Sequence, residues 1–351
     1  MKIAVITGSG GLVGSECCLY FSAYFDHVLG IDNDQRKFFF GEKASVEDTI
    51  EFLRKNLSNF LSFGTDIRNN SKLEEIFLKY GRDIRLVIHA AAQPSHDWSA
   101  TAPYTDFEIN ALGTLNILEL VRKFSPEAIV IFISTNKVYG DHVNNLPLVE
   151  TRTRWELADT HPYFKNGIDE KFMIDNCLHS PFGVSKTAAD LLVQEYGKYF
   201  GLNTVVFRAG CITGPRHKGA RLHGFLAYLT KCLMKGNKYT VYGYRGKQVR
   251  DVIHVKDLVN AFGMVVVEKY TLKGEVYNIG GGRESNCSIL EAIGLLESLT
   301  GKKFEFEIEK ENRKGDHKWW ISDTSKFQDR YSGWRIQYRI EDIIRELADT
   351  E

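Results

Sequence analysis

Three glycines at intervals of three, directly after the first apolar run, constrain this chain more than any other feature. Lys2-Ile3-Ala4-Val5-Ile6-Thr7 is followed by Gly8-Ser9-Gly10-Gly11-Leu12-Val13-Gly14. The apolar run reads as a buried parallel strand. Leu12 to Phe25 reads as the helix after it. Gly8 permits the tight turn, and Gly11 lets backbone approach a pyrophosphate. Gly14 lets the helix pack close to the sheet. The first helical turn, with Leu12 and Val13, offers free N–H groups and a positive dipole end to phosphate. Such a triplet means little by itself, but here it sits between a strand and a helix.

Asp32 and Asn33 end a second strand, His27 to Asp32, about twenty residues on. A carboxylate there accepts hydrogen bonds from a ribose 2′,3′-diol and repels a 2′-phosphate. That favours NAD over NADP, although Arg36 and Lys37 nearby weaken the argument. Asp66 and Ile67, past a third strand (61–66), are placed to meet an adenine. Ala90, Ala91 and Ala92 form a wall of small residues after a fourth strand (86–90). Asn110 is expected on the coenzyme from the long helix Phe107–Phe124, and Gln93 on the substrate.

The alternation continues. Helices are expected over 46–57 and 73–80, and a fifth strand over 128–134. A helix over 185–200 and a strand over 203–208 follow. This spacing implies an α/β fold, a doubly wound parallel sheet of the Rossmann type. From about Gly210 the spacing becomes irregular. Helices at 225–234 and 289–299 and strands at 239–242, 276–279 and 304–308 remain legible. We place a dinucleotide-binding domain at 1–208, with segments returning at about 250–280. A smaller substrate-binding α/β region takes 209–351.

The bulk numbers narrow the function. The 351 residues carry 45 Lys+Arg and 45 Asp+Glu, so no global field draws nucleic acid or an anionic membrane. No run is apolar and long enough to span a bilayer or act as a signal peptide. The six cysteines show no C-x-x-C pair and no metal spacing, which suits reduced thiols in a cytoplasmic protein and no metal site.

Ile133-Ser134-Thr135-Asn136-Lys137-Val138-Tyr139-Gly140 ends the fifth strand, where such sheets open toward a ligand. Thr135 and Asn136 are candidates for hydrogen bonds to a substrate hydroxyl or keto group. Ser180-Pro181-Phe182-Gly183-Val184-Ser185-Lys186 has the spacing of a Tyr-x-x-x-Lys pair, one helical turn apart. In such a pair the lysine and a bound nicotinamide lower the phenol's pKa so that it moves protons near neutrality. Phe182 has no proton to move.

With these motifs the chain resembles the extended short-chain dehydrogenase/reductase superfamily, and within it the CDP-tyvelose (CDP-paratose) 2-epimerases. Further marks are Gly-Leu-Asn-Thr-Val-Val-Phe-Arg at 201–208, Gly-Lys-Gln-Val-Arg-Asp-Val at 246–252 and Tyr-Asn-Ile-Gly-Gly at 277–281. The resemblance covers nearly the whole length. It implies a tightly held NAD that takes hydride from sugar C2 and returns it to the other face of a 2-keto sugar. It makes Thr135 the catalytic hydroxyl and Lys186 the catalytic lysine, and leaves Phe182 where the tyrosine belongs. Three readings stay open at Phe182. The tyrosine was substituted experimentally; or a natural chain moves its proton through Cys211, Glu170, His96 or a water on Thr135; or the protein binds a nucleotide sugar without turning it over. Each replacement base also has a plain alternative as a packed thiol, a solvated carboxylate or a surface histidine.

A nucleoside diphosphate needs cations. Arg216, Arg221, Arg250 and Arg313 are the candidates, since a planar fork suits two phosphate oxygens. The sum is an NAD-dependent isomerase acting on a CDP-hexose. A 4-epimerase or dehydratase of the same fold is the alternative, and Asn136-Lys137 in place of an acidic pair counts against the dehydratase. The helices 107–124 and 185–200 would serve a homodimer or a monomer's own core.

Overall fold

The computed structural model describes residues 1–221, 223–268 and 271–350. Seven strands form the main sheet: β1 (Ile3–Thr7), β2 (His27–Ile31), β3 (Phe60–Phe63), β4 (Ile84–His89), β5 (Ile129–Thr135), β6 (Asn203–Ala209) and β7 (Glu275–Ile279). Their order is β7-β6-β5-β4-β1-β2-β3. The pairings of β1 with β2 and β4, β2 with β3, and β4 with β5 are parallel. All five residues of β1 are buried, as a strand covered on both faces requires. The chain winds outward from β1 to β3, then resumes at β4 on the other side of β1. That reversal is the switch point at which such sheets take ligands. The doubly wound expectation holds.

Helix α1 (Leu12–Phe21) is shorter than the run to Phe25. β3 ends at Phe63, before the glycine at 64, and not at Asp66. The long helix expected from Phe107 is broken in register. Pro103–Phe107 is α-helical, Glu108–Leu112 forms a π-turn, and α2 runs over Gly113–Phe124. A π-turn inserts a residue without leaving the helix, so a 3.6-residue pattern does not reveal it. α3 (Ser180–Lys198) starts five residues earlier than the pattern suggested, which brings Phe182 and Lys186 into the same helix.

The chain forms two compact units. The first comprises 1–135, 181–208 and 259–277, and the second comprises 136–180, 209–258 and 278 onward. Residues 136–180 thus group with the second unit, where the sequence boundary had put them in the first. The core of the first unit is built from Ile3, Val5, Leu29, Leu73, Phe77, Val87, Val121, Phe132 and Val206 among others. In the second unit, Val249–His254 pairs in parallel with Cys211–Thr213 and Trp319–Trp320, and antiparallel with Asn286–Ser288. Tyr239–Tyr242 pairs in parallel with Phe306–Glu309. Among the described residues no helix is long and apolar enough to cross a membrane. No group of His, Cys, Asp and Glu among them could hold a metal.

One polar lock holds α3 on the sheet. Asp190 is fully buried and takes Arg208 of β6 on both carboxylate oxygens (Nη2 2.9 Å, Nε 3.0 Å). Ser134 of β5 donates to it at 2.6 Å, and Gln194 at 2.7 Å. Removing one partner of a buried pair strands the other charge, at a cost of about 3–5 kcal/mol. Asp190→Ala is therefore expected to lower unfolding stability by about that much in urea titrations, and an Asp190→Ala/Arg208→Met double variant to recover part of it.

Candidate functional site

The glycine turn at the end of β1 is built from close approaches. Gly8 has φ +69°, and a Cβ on it would meet the Ala91 backbone nitrogen at 2.8 Å. A Cβ on Gly14 would collide with the Gly8 carbonyl. Gly11 differs. The nearest atom to a Cβ there is the Gly8 carbonyl oxygen at 3.3 Å, a tight contact but not the collision found at Gly8 and Gly14. Gly11 also occupies the N-cap of α1, with no side-chain cap and no acidic residue in the first turn. A helix start without a side-chain cap leaves N–H groups that a pyrophosphate could take up.

Asp32, half-buried, holds this turn and still faces outward. It accepts from the Gly10 N–H (2.8 Å) and the Asp34 N–H (2.8 Å). Burial raises its pKa, and the two N–H groups oppose the rise. Burial also lowers the Arg36 guanidinium to about 10. Asn33 donates to Asp66 at 2.9 Å, and Arg68 donates to Asp66 at 2.7 and 3.0 Å. Burial opposes charge on Asp66, and Arg68 overcomes it, so the carboxyl sits below its ordinary range. Ile67 is buried and packs against Gly113 of α2. Ala90, Ala91 and Ala92 are half-buried past β4, with the Ala91 N–H donating to the Thr7 hydroxyl at 3.2 Å.

Below this surface runs a buried polar chain that the sequence did not announce. The Thr7 hydroxyl meets His89 Nδ1 at 2.7 Å, and His89 Nε2 meets the Thr114 hydroxyl at 3.0 Å. Thr114 donates onward to the Asn110 carbonyl at 2.6 Å. That order leaves the ring proton on Nε2. Burial, helped by Lys186, lowers the His89 pKa to about 3, so the ring stays neutral. Asn110, inside the π-turn, accepts from the Gln93 N–H (2.9 Å) and donates to the Gln93 carbonyl (3.1 Å) and Ser185 Oγ (3.0 Å). Gln93 is fully buried and donates to Asp106 (2.6 Å) and the Ser95 carbonyl (2.9 Å). Ser185 donates to the other Asp106 oxygen. Gln93 and Asn110 thus hold backbone and helices together; both side-chain N–H groups of Gln93 are taken, and its Oε1 accepts from the Ser95 N–H.

Lys186 stands at the end of this network. It is 4% exposed, and its Nζ donates to the Ile133 carbonyl at 2.8 Å. The ammonium lies 4.2 Å from the Phe132 ring centroid. Burial lowers its pKa to about 8, against the pull of Asp190 and Asp106. Thr135, half-buried, ends β5 two residues past Ile133. Phe182, one turn before Lys186 on α3, is 8% exposed, and its N–H donates to Ser99 Oγ at 3.1 Å.

The second unit carries a separate cationic group. Asp316 binds Arg250 at 2.7 Å and Lys137 at 3.2 Å. Burial works against charge there, and Arg250, Lys137 and Arg313 overcome it, holding the carboxyl well below the carboxylate range. Asp316 was missed, though Arg313-Lys314-Gly315-Asp316 reads as a turn with charges at both ends. Arg221 is exposed and donates to the Tyr242 hydroxyl at 2.8 Å, while Arg216 is half-buried in its loop. Asn136 is buried.

Two of the candidate replacement bases, Cys211 and Glu170, lie in the second unit. Cys211 is half-buried, and burial pushes its thiol up to about 12, against Arg250, so it carries no thiolate at neutral pH. Glu170 accepts the Asn278 N–H at 2.6 Å; burial raises its pKa, and that N–H opposes the rise.

The chain matches the NAD dependent epimerase/dehydratase family over residues 4–280. It is 32% identical over 354 residues to a CDP-paratose 2-epimerase of Salmonella typhi, covering 99% of this chain and 98% of that one. Among solved structures, the UDP-glucuronic acid 4-epimerase of Bacillus cereus, in complex with UDP-glucuronic acid and NAD, superposes with a TM-score of 0.78 at 26% identity, over 100% and 98% of the two chains. The Thermus thermophilus UDP-glucose 4-epimerase complex with NAD gives 0.78 at 25%, over the same shares. The match over residues 4–280 and the full-length similarity show that this chain is a member of the NAD-dependent epimerase/dehydratase family.

Proposed function

We propose that the protein epimerises a CDP-hexose at C2, using NAD. One observation carries the reading: Lys186 is buried on the carbonyl of Ile133 in β5, the strand that ends at Thr135, in the unit that holds the uncapped glycine turn and Asp32. Full-length similarity to a CDP-paratose 2-epimerase supports C2 and the cytidine nucleotide. Lys137, spent on Asp316 and the Gly315 carbonyl, fills a position where a dehydratase would place an acid, which supports an epimerase.

Gly11 and the first turn of α1 would hold the pyrophosphate, and Asp32 the adenosine ribose. When bound, NAD accepts a hydride from a sugar carbon and hands it back. Thr135 would hydrogen-bond the reacting hydroxyl, and Lys186 would hold the nicotinamide ribose. Arg250 and Arg313 would take the diphosphate. A homodimer through exposed Leu112 of the π-turn and Val184 and Leu191 of α3 completes the proposal.

Two outcomes are expected. Gly11→Val should weaken NAD binding at least tenfold by calorimetry and lower the thermal midpoint less than the same change at Gly14, because its Cβ meets only the Gly8 carbonyl oxygen, at 3.3 Å. Gly14→Val should lower the midpoint itself. In deuterated water, CDP-hexose followed by NMR should invert at C2 and keep its own hydrogen. Inversion with solvent deuterium at C2, or inversion at C4 alone, would overturn the assignment.

A further inference from the structure

Phe182, Lys186 and Asp190 lie four residues apart along α3 and so share one face. Asp190 is consumed by Arg208, Ser134 and Gln194. Lys186 consequently forms no ion pair among the described residues. Its one hydrogen bond goes to the Ile133 carbonyl, which leaves two of its three protons unspent. Phe182, one turn away, supplies a ring where a phenol would share that charge. We infer that Lys186 itself, as a neutral amine, accepts the substrate's proton and later returns it. The inference rests on the epimerase reading above.

The other groups around Lys186 cannot do this. His89 of β4 is neutral, and both its nitrogens are held by threonine hydroxyls. Asp106, from Pro103–Phe107, accepts from Gln93, Asn110 and Ser185. Arg208 of β6 does not release a proton. Ile133, Ser134 and Thr135 of β5 bring no titratable group. Asp190 and Asp106 favour the charged form, and burial outweighs them, so a substantial amine fraction exists just above neutrality.

The step balances as follows. The sugar O–H bond breaks, its proton joins the lone pair on Nζ, and the C–H electron pair leaves with its hydrogen for the nicotinamide coenzyme as C=O forms. On return the hydride rejoins carbon, and the carbonyl oxygen recovers a proton from the Lys186 ammonium. Thr135, two residues past the anchoring carbonyl, orients the oxygen.

Two readouts test this. In coenzyme-free protein with ¹³C-labelled lysine, one ε-carbon signal should titrate near 8 and be absent in Lys186→Met. A Lys186 signal titrating near about 10.4, like an ordinary lysine, overturns the inference whatever the sugar. In the holoenzyme, turnover should rise to a plateau as pH passes about 8, and Phe182→Tyr should move that limb to lower pH. Lys186→Arg, which keeps the charge but does not give up a proton, should lose about 10²–10⁴ in kcat. A limb that Lys186→Arg leaves in place assigns the proton elsewhere and overturns the inference. Failure to turn over CDP-, UDP- and dTDP-hexoses alike, with the lysine still titrating near 8, instead removes the epimerase reading and the inference with it.

Discussion

The carboxylate of Asp190 is the constraint on which the first unit's chemistry depends. It ties α3 to two strands at once, through Ser134 of β5 and Arg208 of β6. A buried charge is tolerable only when paired and hydrogen-bonded, and Asp190 meets both conditions. Fixing that one residue fixes the roll of the helix. Lys186, one turn earlier, then falls on the Ile133 carbonyl, and Phe182, another turn earlier, falls under Ser99. The lysine's position is a consequence of a salt bridge it takes no part in.

A second buried system sets the opposite boundary. Asp106, Ser185, Asn110 and Gln93 satisfy one another without water, which is costly to assemble and rigid once complete. The π-turn at 108–112 aims Asn110 into this group instead of leaving it on the regular helical spiral. Through Thr114 and neutral His89 the same system reaches Thr7, at the root of the glycine turn. The coenzyme cradle and the helix bearing Lys186 are thereby braced by one continuous set of hydrogen bonds.

What was legible in the sequence was local. The β1 strand, its glycines and Asp32 lie within thirty-two residues, and each constrains its neighbours directly. Phe182 and Lys186 were legible as a pair because one helical turn separates them. The braces were not, because they join residues 56, 75, 79 and 82 positions apart. Gln93 was read as a substrate contact, and its N–H groups are found on Asp106 and on the Ser95 carbonyl, bonds that no local pattern announces. Cys211 was a candidate base with a packed thiol as its plain alternative, and the desolvation that raises its thiol has no sequence signature. Asp316 went unnoticed for a related reason: an acid beside arginines looks ordinary until Lys137, 179 residues away, arrives at it.

The three glycines of the opening turn answer to different masters. Residues 8 and 14 are demanded by the polypeptide, since a methyl group at either would strike neighbouring backbone. Residue 11 is held less strictly, since a methyl group there meets only the carbonyl oxygen of residue 8, at 3.3 Å. A descendant that gave up its coenzyme while keeping its architecture would therefore drift first at 11, and glycine persisting at 8 and 14 alone would mark a fossil of the fold stripped of its redox trade.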